Sequence, residues 1–169
     1  MILTISKQDK SMGKILAKNK KAYFDYEILE SYEAGIILIG SEVKSIKEGK
    51  VQLVGSYVSA RNGEVWLVGT HISPYKSGQV FEPERPRKLL LSKKEIIELI
   101  GKLQTKGTSL IPIEIYLKKN LIKVRISVAR GKKKYDKRET IKKRELERSL
   151  RRNYKNIKHF VQLNKLRNI

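Results

Sequence analysis

A hairpin pattern runs through SLIPIEIYLKKNLIKVRISVA, residues 109–129. Apolar and polar residues alternate along 109–117 and 121–129, and Lys118-Lys119-Asn120 lies between them, so two antiparallel strands are predicted. The alternation places four apolar residues of each strand on one face: Ile111, Ile113, Ile115 and Leu117 on the first, Ile122, Val124, Ile126 and Val128 on the second. This hairpin is therefore expected to line a hydrophobic core.

Further strand signals lie upstream of the hairpin. Residues 23–32 and 36–39 are rich in aromatic and β-branched residues, and Glu33-Ala34-Gly35 between them is interpreted as a turn. Additional strand candidates are 51–54, 56–61 and 64–69, the last two joined by Asn62-Gly63, a strong two-residue hairpin signal.

Two short helices are predicted among these strands. The first follows Ser41 as N-cap and ends at Gly49, and its apolar residues Val43 and Ile46 are expected to plug the end of a barrel. The second begins with a capping box, Ser92 to Glu95. The fold class predicted is mainly β with short helices: a small antiparallel β-barrel of oligonucleotide-binding type, although the pattern alone does not separate it from another small β-barrel.

Three segments are expected along the chain. Residues 1–18 lack a clear period and are predicted to be a flexible N-terminal arm, residues 19–130 the barrel, and residues 131–169 a basic C-terminal tail. Residues 130–169 hold 16 of the 38 Lys and Arg residues but only 4 of the 17 Asp and Glu residues. This segment lacks a wide apolar stripe, so we expect it to be disordered when free and helical when bound to an anionic surface.

The composition excludes several classes of protein. There is no cysteine and only two histidines, His71 and His159, so no metal site and no cofactor are expected. No apolar run reaches the ~18–20 residues that cross a bilayer, and the N-terminus does not resemble a signal peptide, so a cytoplasmic protein without membrane contact is predicted. The carboxylates do not cluster as a nuclease requires, which leaves no candidate catalytic residue.

The net charge of +21 indicates a polyanionic partner, and nucleic acid is the first candidate. Lys118, Lys119, Lys123 and Arg125 on the polar side of the hairpin are candidates for contact with phosphates. In Gly131-Lys132-Lys133-Lys134-Tyr135-Asp136-Lys137-Arg138 an aromatic residue interrupts the lysines, and an aromatic ring can stack on an unpaired base.

Several blocks of sequence resemble one known family. They are NKKAYFDYEI (19–28), YEAGIILIGSEVKSIKEGK (32–50), SYV (56–58), the segment 62–75, RPRKLLLSKKE (85–95) and KVRISVARGKKKYDKRETIKKRE (123–145). In this order they resemble small protein B, the SsrA-binding protein family that partners tmRNA in bacterial trans-translation.

The resemblance implies a barrel that binds the tRNA-like domain of tmRNA, has no enzymatic activity and enters stalled ribosomes. The RNA-binding positions it implies, with their basic and aromatic neighbours, are Asn19, Lys20, Lys21, Phe24, Glu33, Arg87, Lys88, Leu90, Leu91 and Lys123. Arg125 is added to them from the polar side of the hairpin. The tail positions it implies are Gly131, Lys132, Lys133, Lys134, Tyr135, Asp136, Lys137 and Arg138, which would engage the decoding centre and the empty mRNA channel. The protein is expected to act as a monomer.

The chain departs from the family pattern at three places. Phe24 and Tyr135 stand where many members have His, so that an aromatic ring is kept and a titratable group is lost, and Leu146 stands where Trp is frequent. Residues 155–169 have no assigned role.

Two other hypotheses about function remain open from the sequence: a structural ribosomal protein with an rRNA-binding extension, and a metal-dependent RNA nuclease.

Overall fold

The structure, a computed structural model, describes residues 13–76, 78, 80–132, 141–142, 145–146, 148–150 and 152. The chain divides into two compact units, Met1–Gly131 and Lys132–Ile169. The elements of the first unit, in chain order, are β1 (Lys14–Lys18), α1 (Lys20–Asp25), β2 (Tyr26–Ile36), α2 (Gly40–Lys47), β3 (Val51–Gln52), β4 (Tyr57–Arg61), β5 (Glu64–Val68), β6 (His71–Ile72), β7 (Arg87–Leu90), α3 (Lys93–Leu103), β8 (Thr108–Lys118) and β9 (Leu121–Gly131).

Six of the strands form a ring in which all neighbours are antiparallel. The order is β8-β4-β5-β7-β2-β9, and β9 also pairs with β8, which returns the sheet to its start. β1 adds to the free part of the β8 edge, and β3 and β6 form a separate two-stranded sheet. The prediction of a mainly β fold built from antiparallel strands with short helices is confirmed.

The inner face of the ring encloses the main hydrophobic core. Fully buried residues of β5 and β9 contribute to it, including Leu67 and Ile126, and the two longer helices contribute Ile46 and Leu99. Val43 packs against the same core, as the sequence predicted for the first helix. Burial of a Leu or Ile side chain stabilises the folded state by about 1.5–3 kcal/mol, so these two helices are held by the core rather than by their own short length.

Both predicted hairpin turns are present. Lys119 and Asn120 have φ values of 48° and 63°, and Asn62 and Gly63 have φ values of 52° and 72°. Two successive residues in the left-handed region form the turn type whose twist matches that of paired strands. These turns fix the registers of β8 with β9 and of β4 with β5.

One predicted face of the 109–129 hairpin is split in two. The register of β8 and β9 shifts between Pro112 and Glu114, which is a β-bulge. Because side chains alternate with a period of two, one extra residue moves those that follow to the opposite face. Ile111 and Ile113 therefore lie in a second, smaller apolar cluster with Ala22 of α1, whereas Ile115 lies in the main core. The single apolar face predicted for this strand is wrong.

The segment predicted as a strand from Tyr23 and a turn at Glu33-Ala34-Gly35 is different in the structure. Residues 20–25 form α1, and β2 continues without a turn from Tyr26 to Ile36. Glu33, Ala34 and Gly35 pair with Arg125, Val124 and Lys123 of β9. This long ladder keeps the backbone extended where the sequence alone suggested a turn, so the turn prediction is wrong.

The predicted arm and tail are described in part. Lys14–Lys18 form β1 rather than an unstructured arm, because Glu114–Leu117 of β8 offers an edge with which the segment pairs. At the other end, Gly131 is the last residue of β9 and pairs with Tyr26. Residues 1–12 and the tail positions Lys133, Lys134, Tyr135, Asp136, Lys137 and Arg138 lie outside the described residues. The described residues from 141 to 152 are helical.

Candidate nucleic-acid interface

A row of residues crosses the outer face of the ring from β7 to β8. Leu90 is opposite Gly35, Gly35 is opposite Lys123, and Lys123 is opposite Tyr116. Opposite residues in antiparallel strands have Cβ atoms ~4.5–5.5 Å apart, so the row is continuous. Leu90 is 52% exposed. Gly35 brings it close to β2, since a Cβ atom at Gly35 would lie 3.2 Å from the Cβ of Leu90.

A second row of charged residues lies beside the first. Glu33 is opposite Arg125, and Arg125 is opposite Glu114. The guanidinium Nη1 of Arg125 lies 2.9 Å from the buried Glu114 carboxylate, and its Cζ lies 5.5 Å from the centre of the Tyr116 ring. We call the set Glu33, Leu90, Lys118, Lys123 and Arg125, together with the buried Glu114 and Tyr116 that hold Arg125 and Glu33, the open face.

Glu33 is held in one position within the open face. Its Oε2 accepts a hydrogen bond from the Tyr116 hydroxyl at 2.5 Å and another from Lys118 Nζ at 2.9 Å. The hydrogen bond from Tyr116, followed by that from Lys118, holds the pKa of Glu33 below its usual range. Burial, with the neighbouring Glu33, raises the pKa of Tyr116 to about 12. At neutral pH the open face therefore presents an oriented carboxylate among three cationic side chains.

This arrangement suits RNA better than a uniform basic patch does. An ionised carboxylate only accepts hydrogen bonds, so Glu33 is complementary to the amino and imino groups of bases or to 2′-hydroxyl groups. The cations around it can neutralise phosphates. Leu90 offers an apolar contact for an unstacked base. Tyr116, which fixes Glu33, was missed by sequence reasoning, although the alternation along the hairpin places it on the same side as Lys118.

The residues predicted on α1 divide into two groups. Lys20 and Lys21 are exposed and Phe24 is partly exposed, so all three are available to a partner on the side of the sheet that α1 covers. Asn19 is 5% exposed. Its Oδ1 accepts from the Ala22 N–H at 3.0 Å, and its Nδ2 donates to the carbonyls of Leu53 and Pro112. This side chain therefore caps α1 and joins it to two other segments, and its contact with RNA stays a prediction.

The predicted pair Arg87 and Lys88 also divides. Arg87 is fully buried; its Nε donates to Glu42 at 2.8 Å, and its other nitrogens donate to the carbonyls of Thr70 and Pro83. Because inward and outward residues alternate along β7, Arg87 and Leu89 face the interior while Lys88 and Leu90 face outward. In the structure Arg87 is part of a buried ion-pair network, and its role toward RNA stays a prediction.

Leu91 follows β7 and packs in part against the main core, so it is less available than Leu90. Gly131 and Lys132 are the tail positions that the structure describes. Across the described residues, no group of three or more His, Cys, Asp or Glu side chains could hold a metal ion. Within the same residues, no helix combines the length and apolar composition that crossing a bilayer requires.

Changing Tyr116 to Phe tests how Glu33 is held. The pKa of Tyr116 is raised in the folded protein, so its contribution to stability is present below pH ~10 and is lost as the pH rises through about 12. We expect Tyr116→Phe to lower the free energy of unfolding at pH 7 by roughly 1.5–3 kcal/mol, the range for hydrogen bonds to charged groups, and to flatten the loss of stability between pH 10 and 12.

Urea unfolding at a series of pH values measures both effects. The matched control is Tyr57→Phe, which changes an exposed tyrosine and should leave the profile nearly unchanged. Equal profiles for the two variants would show that the hydrogen bond from Tyr116 to Glu33 contributes nothing to stability.

Comparison with known proteins gives a consistent result. The family model described as SmpB protein matches residues 16–156. The SsrA-binding protein of Persephonella marina is 51% identical over 144 residues, which cover 84% of this chain and 95% of that protein. The SsrA-binding protein of Carboxydothermus hydrogenoformans is 53% identical over 149 residues, covering 85% of this chain and all of that protein (100%).

A solved structure described as "tmRNA-SmpB: a journey to the center of the bacterial ribosome" contains a similar chain. Its TM-score with this structure is 0.60 at 46% sequence identity, over 70% of this chain and 85% of that chain. The family match spans most of the ring and its open face, and the relatives are matched over nearly their whole length. The chain therefore belongs to the SmpB protein family.

Proposed function

We propose that the chain binds the tRNA-like domain of tmRNA through the open face and α1 and delivers it to stalled ribosomes for trans-translation. The observation that carries the proposal is Glu33, an ionised hydrogen-bond acceptor fixed by Tyr116 and Lys118 on an exposed and otherwise basic surface. The relatives' name, SsrA-binding protein, and the solved structure that names tmRNA and the ribosome support it.

We further propose that the tail completes the function on the ribosome. Residues 131–138 would engage the decoding centre, and the helical segment after them would follow the empty mRNA channel. The charge of the tail supports this role, since 16 of the 38 basic residues lie within residues 130–169 and Lys and Arg neutralise the phosphates of RNA. The proposed role is binding rather than catalysis, and it belongs in the cytoplasm.

A structural ribosomal protein, the alternative, would require a different RNA-binding surface. Such a protein needs only general attraction to rRNA, for which a fixed carboxylate among the cations is unfavourable. A tmRNA-binding protein needs to select one folded RNA, and a fixed acceptor supplies that selection at the cost of some general attraction. The presence of Glu33 in the open face therefore favours the hypothesis of a tmRNA-binding protein over that of a structural ribosomal protein.

Changing Glu33 to Arg tests the proposal through the sign of the effect. We expect Glu33→Arg to weaken binding of the tRNA-like domain of tmRNA roughly 10- to 100-fold, because an oriented acceptor becomes a fourth cation beside Lys118, Lys123 and Arg125. Binding of a perfectly paired RNA duplex of equal length should become slightly tighter, because the protein gains two positive charges.

The matched control is Glu48→Arg, which makes the same charge change at the exposed end of α2. Titration by gel shift at fixed salt measures the unchanged chain and both variants with each of the two RNAs. If Glu33→Arg strengthens binding of both RNAs as Glu48→Arg does, Glu33 is only a solvated carboxylate and the open face does not select the RNA.

A further inference from the structure

A groove on the outer face of β4 and β5 has no role in the function described so far. Tyr57, Arg61, Glu64, Trp66 and Pro86 line it, and its volume is about 330 Å³. Sites for small molecules occupy ~300–1,000 Å³, so the groove has room for about one nucleoside-sized group.

The aromatic side chains of the groove face solvent because of the strand alternation. Val58, Val65 and Leu67 are buried in the core, which leaves Tyr57 and Trp66 on the outer side. Tyr57 is opposite Val68 and Trp66 is opposite Ser59, so the two aromatic residues are diagonal neighbours, about 7–8 Å apart. Tyr57 is 52% exposed. Exposed aromatic rings on a sheet are the usual platform for unpaired bases.

Polar contacts fix the Trp66 ring and bring a cation to it. The indole N–H donates to Glu64 Oε2 at 3.2 Å, and Lys88 Nζ lies 6.0 Å from the ring centre while also paired with Glu64. Trp66 is opposite Lys88 in the register of β5 with β7. The groove therefore combines a fixed aromatic surface with Lys88 on one side and the exposed Arg61 on the other.

The groove adjoins the open face. Lys88 and Leu90 are two residues apart on the same side of β7, and Leu90 begins the row that runs through Lys123 to Tyr116. An RNA strand that crosses the open face at Leu90 can thus continue over Lys88 to Trp66. The cations along this path favour a polyanion over an uncharged peptide.

We propose that this groove is a second nucleotide site, which takes one unpaired base of an RNA bound to the open face. The base stacks on Trp66 and Tyr57, and Lys88 and Arg61 neutralise the phosphates on either side of it. This inference rests on the proposed RNA-binding function and adds a site on β4 and β5 to it.

The chain itself supplies the probe, because Trp66 is its one tryptophan. Tryptophan emission of the full chain is followed during titration with three ligands: a short oligoadenylate RNA, the folded tRNA-like domain, and a perfectly paired RNA duplex. Gel shifts under the same conditions measure binding independently. We expect the oligoadenylate and the folded RNA to quench the emission, and the duplex to bind with little quenching.

Tyr57→Ala tests the groove without removing the probe. It should weaken oligoadenylate binding between about fivefold and a hundredfold, the range for loss of one stacking side chain. The matched control is Tyr75→Ala, which removes a tyrosine that lies outside the groove and has Lys44 Nζ 5.2 Å from its ring centre. It should change neither quenching nor affinity.

The outcomes separate this site from the proposed function. If neither the oligoadenylate nor the folded RNA quenches Trp66, the groove proposal is overturned, while the gel shift with Glu33→Arg still decides the role of the open face. Equal quenching by the duplex or an unchanged oligoadenylate affinity in Tyr57→Ala overturns it as well.

Discussion

Replacing Glu42 by alanine is expected to lower the free energy of unfolding by about 3–5 kcal/mol, the usual cost of removing one partner of a buried ion pair. Glu42 is fully buried, and its carboxylate accepts from Arg85 Nε at 2.9 Å, from Arg87 Nε at 2.8 Å and from the Ile39 N–H at 3.0 Å. Alanine would leave the guanidinium of Arg87, which is 0% exposed, without its anion.

The Glu42→Ala substitution should also weaken RNA binding at the open face. Arg87 is the first residue of β7, and it also donates to the carbonyls of Thr70 and Pro83. The network thus fixes the position of β7, the strand that carries Lys88 and Leu90. Glu42→Ala is therefore expected to weaken binding of the tRNA-like RNA even at temperatures at which the protein remains folded.

Acid should act on the same network. Burial alone would raise the pKa of Glu42, but the donors Arg85, Ile39 and Arg87 outweigh burial and hold the pKa below its usual range. A carboxylate with a lowered folded-state pKa contributes stability above its unfolded pKa of ~4.3 and loses it as the pH falls further. The acid-dependent part of the unfolding free energy should therefore be smaller in Glu42→Ala.

Guanidinium chloride unfolding, with RNA affinity measured in parallel, tests these expectations. The matched control is Glu48→Ala, which removes an exposed partner of Lys50 and should cost at most ~1 kcal/mol. A loss below 1 kcal/mol for Glu42→Ala would show that the buried network contributes no more than a surface ion pair does.

Ending the chain after Lys132 is expected to abolish peptide tagging on stalled ribosomes while the first unit stays folded and binds the tRNA-like RNA. The first unit, Met1–Gly131, contains the ring of strands and its core. The cut belongs after Lys132 rather than after Arg130, because Gly131 still pairs with Tyr26 at the end of β9. The thermal transition of the ring should stay within about 2 °C of the full chain, since the contacts of its core are unchanged.

A triple variant separates the sequence of the tail from its charge. The triple variant has alanine at Asp136, Lys137 and Arg138, and its net charge is lower by only one unit. This variant should also abolish tagging if these residues engage the decoding centre. Tagging in a reconstituted translation system and RNA affinity are measured for both variants. Full-rate tagging by the triple variant would mean that the tail acts only as an electrostatic tether, and loss of selective RNA binding by the shortened chain would contradict a division into two units.

Local patterns predicted the parts of the fold that local chemistry determines. The turns Asn62-Gly63 and Lys119-Asn120 adopt the positive φ angles that such residues favour. The capping box of α3 is present, with Ser92 Oγ accepting from the Glu95 N–H and the Glu95 carboxylate accepting from the Ser92 N–H. In each case the residues that matter are at most three positions apart.

The errors arose where distant segments override local preference. Glu33-Ala34-Gly35 has turn-forming composition, but its ladder with β9 keeps it extended. The bulge near Pro112 cannot be seen in the alternation, although a proline inside a strand pattern is a sign of one. Arg87 and Asn19 look like surface residues in the sequence, and only the fold shows that Glu42 and the carbonyls of Leu53 and Pro112 satisfy them in the interior.

The ring is fastened unevenly around its circumference. Among the described residues, β4 meets β8 at one residue pair, Val58 with Leu110, whereas β8 and β9 pair along nearly their whole length. The β4–β5 hairpin is thus joined to β8 by a short contact that can open locally. Amide hydrogens at this contact should exchange with solvent earlier than those of β9, because a local opening there breaks few backbone hydrogen bonds. Tyr57 and Trp66 both lie on that hairpin, so a local opening between β4 and β8 leaves the two strands that carry the groove paired with each other.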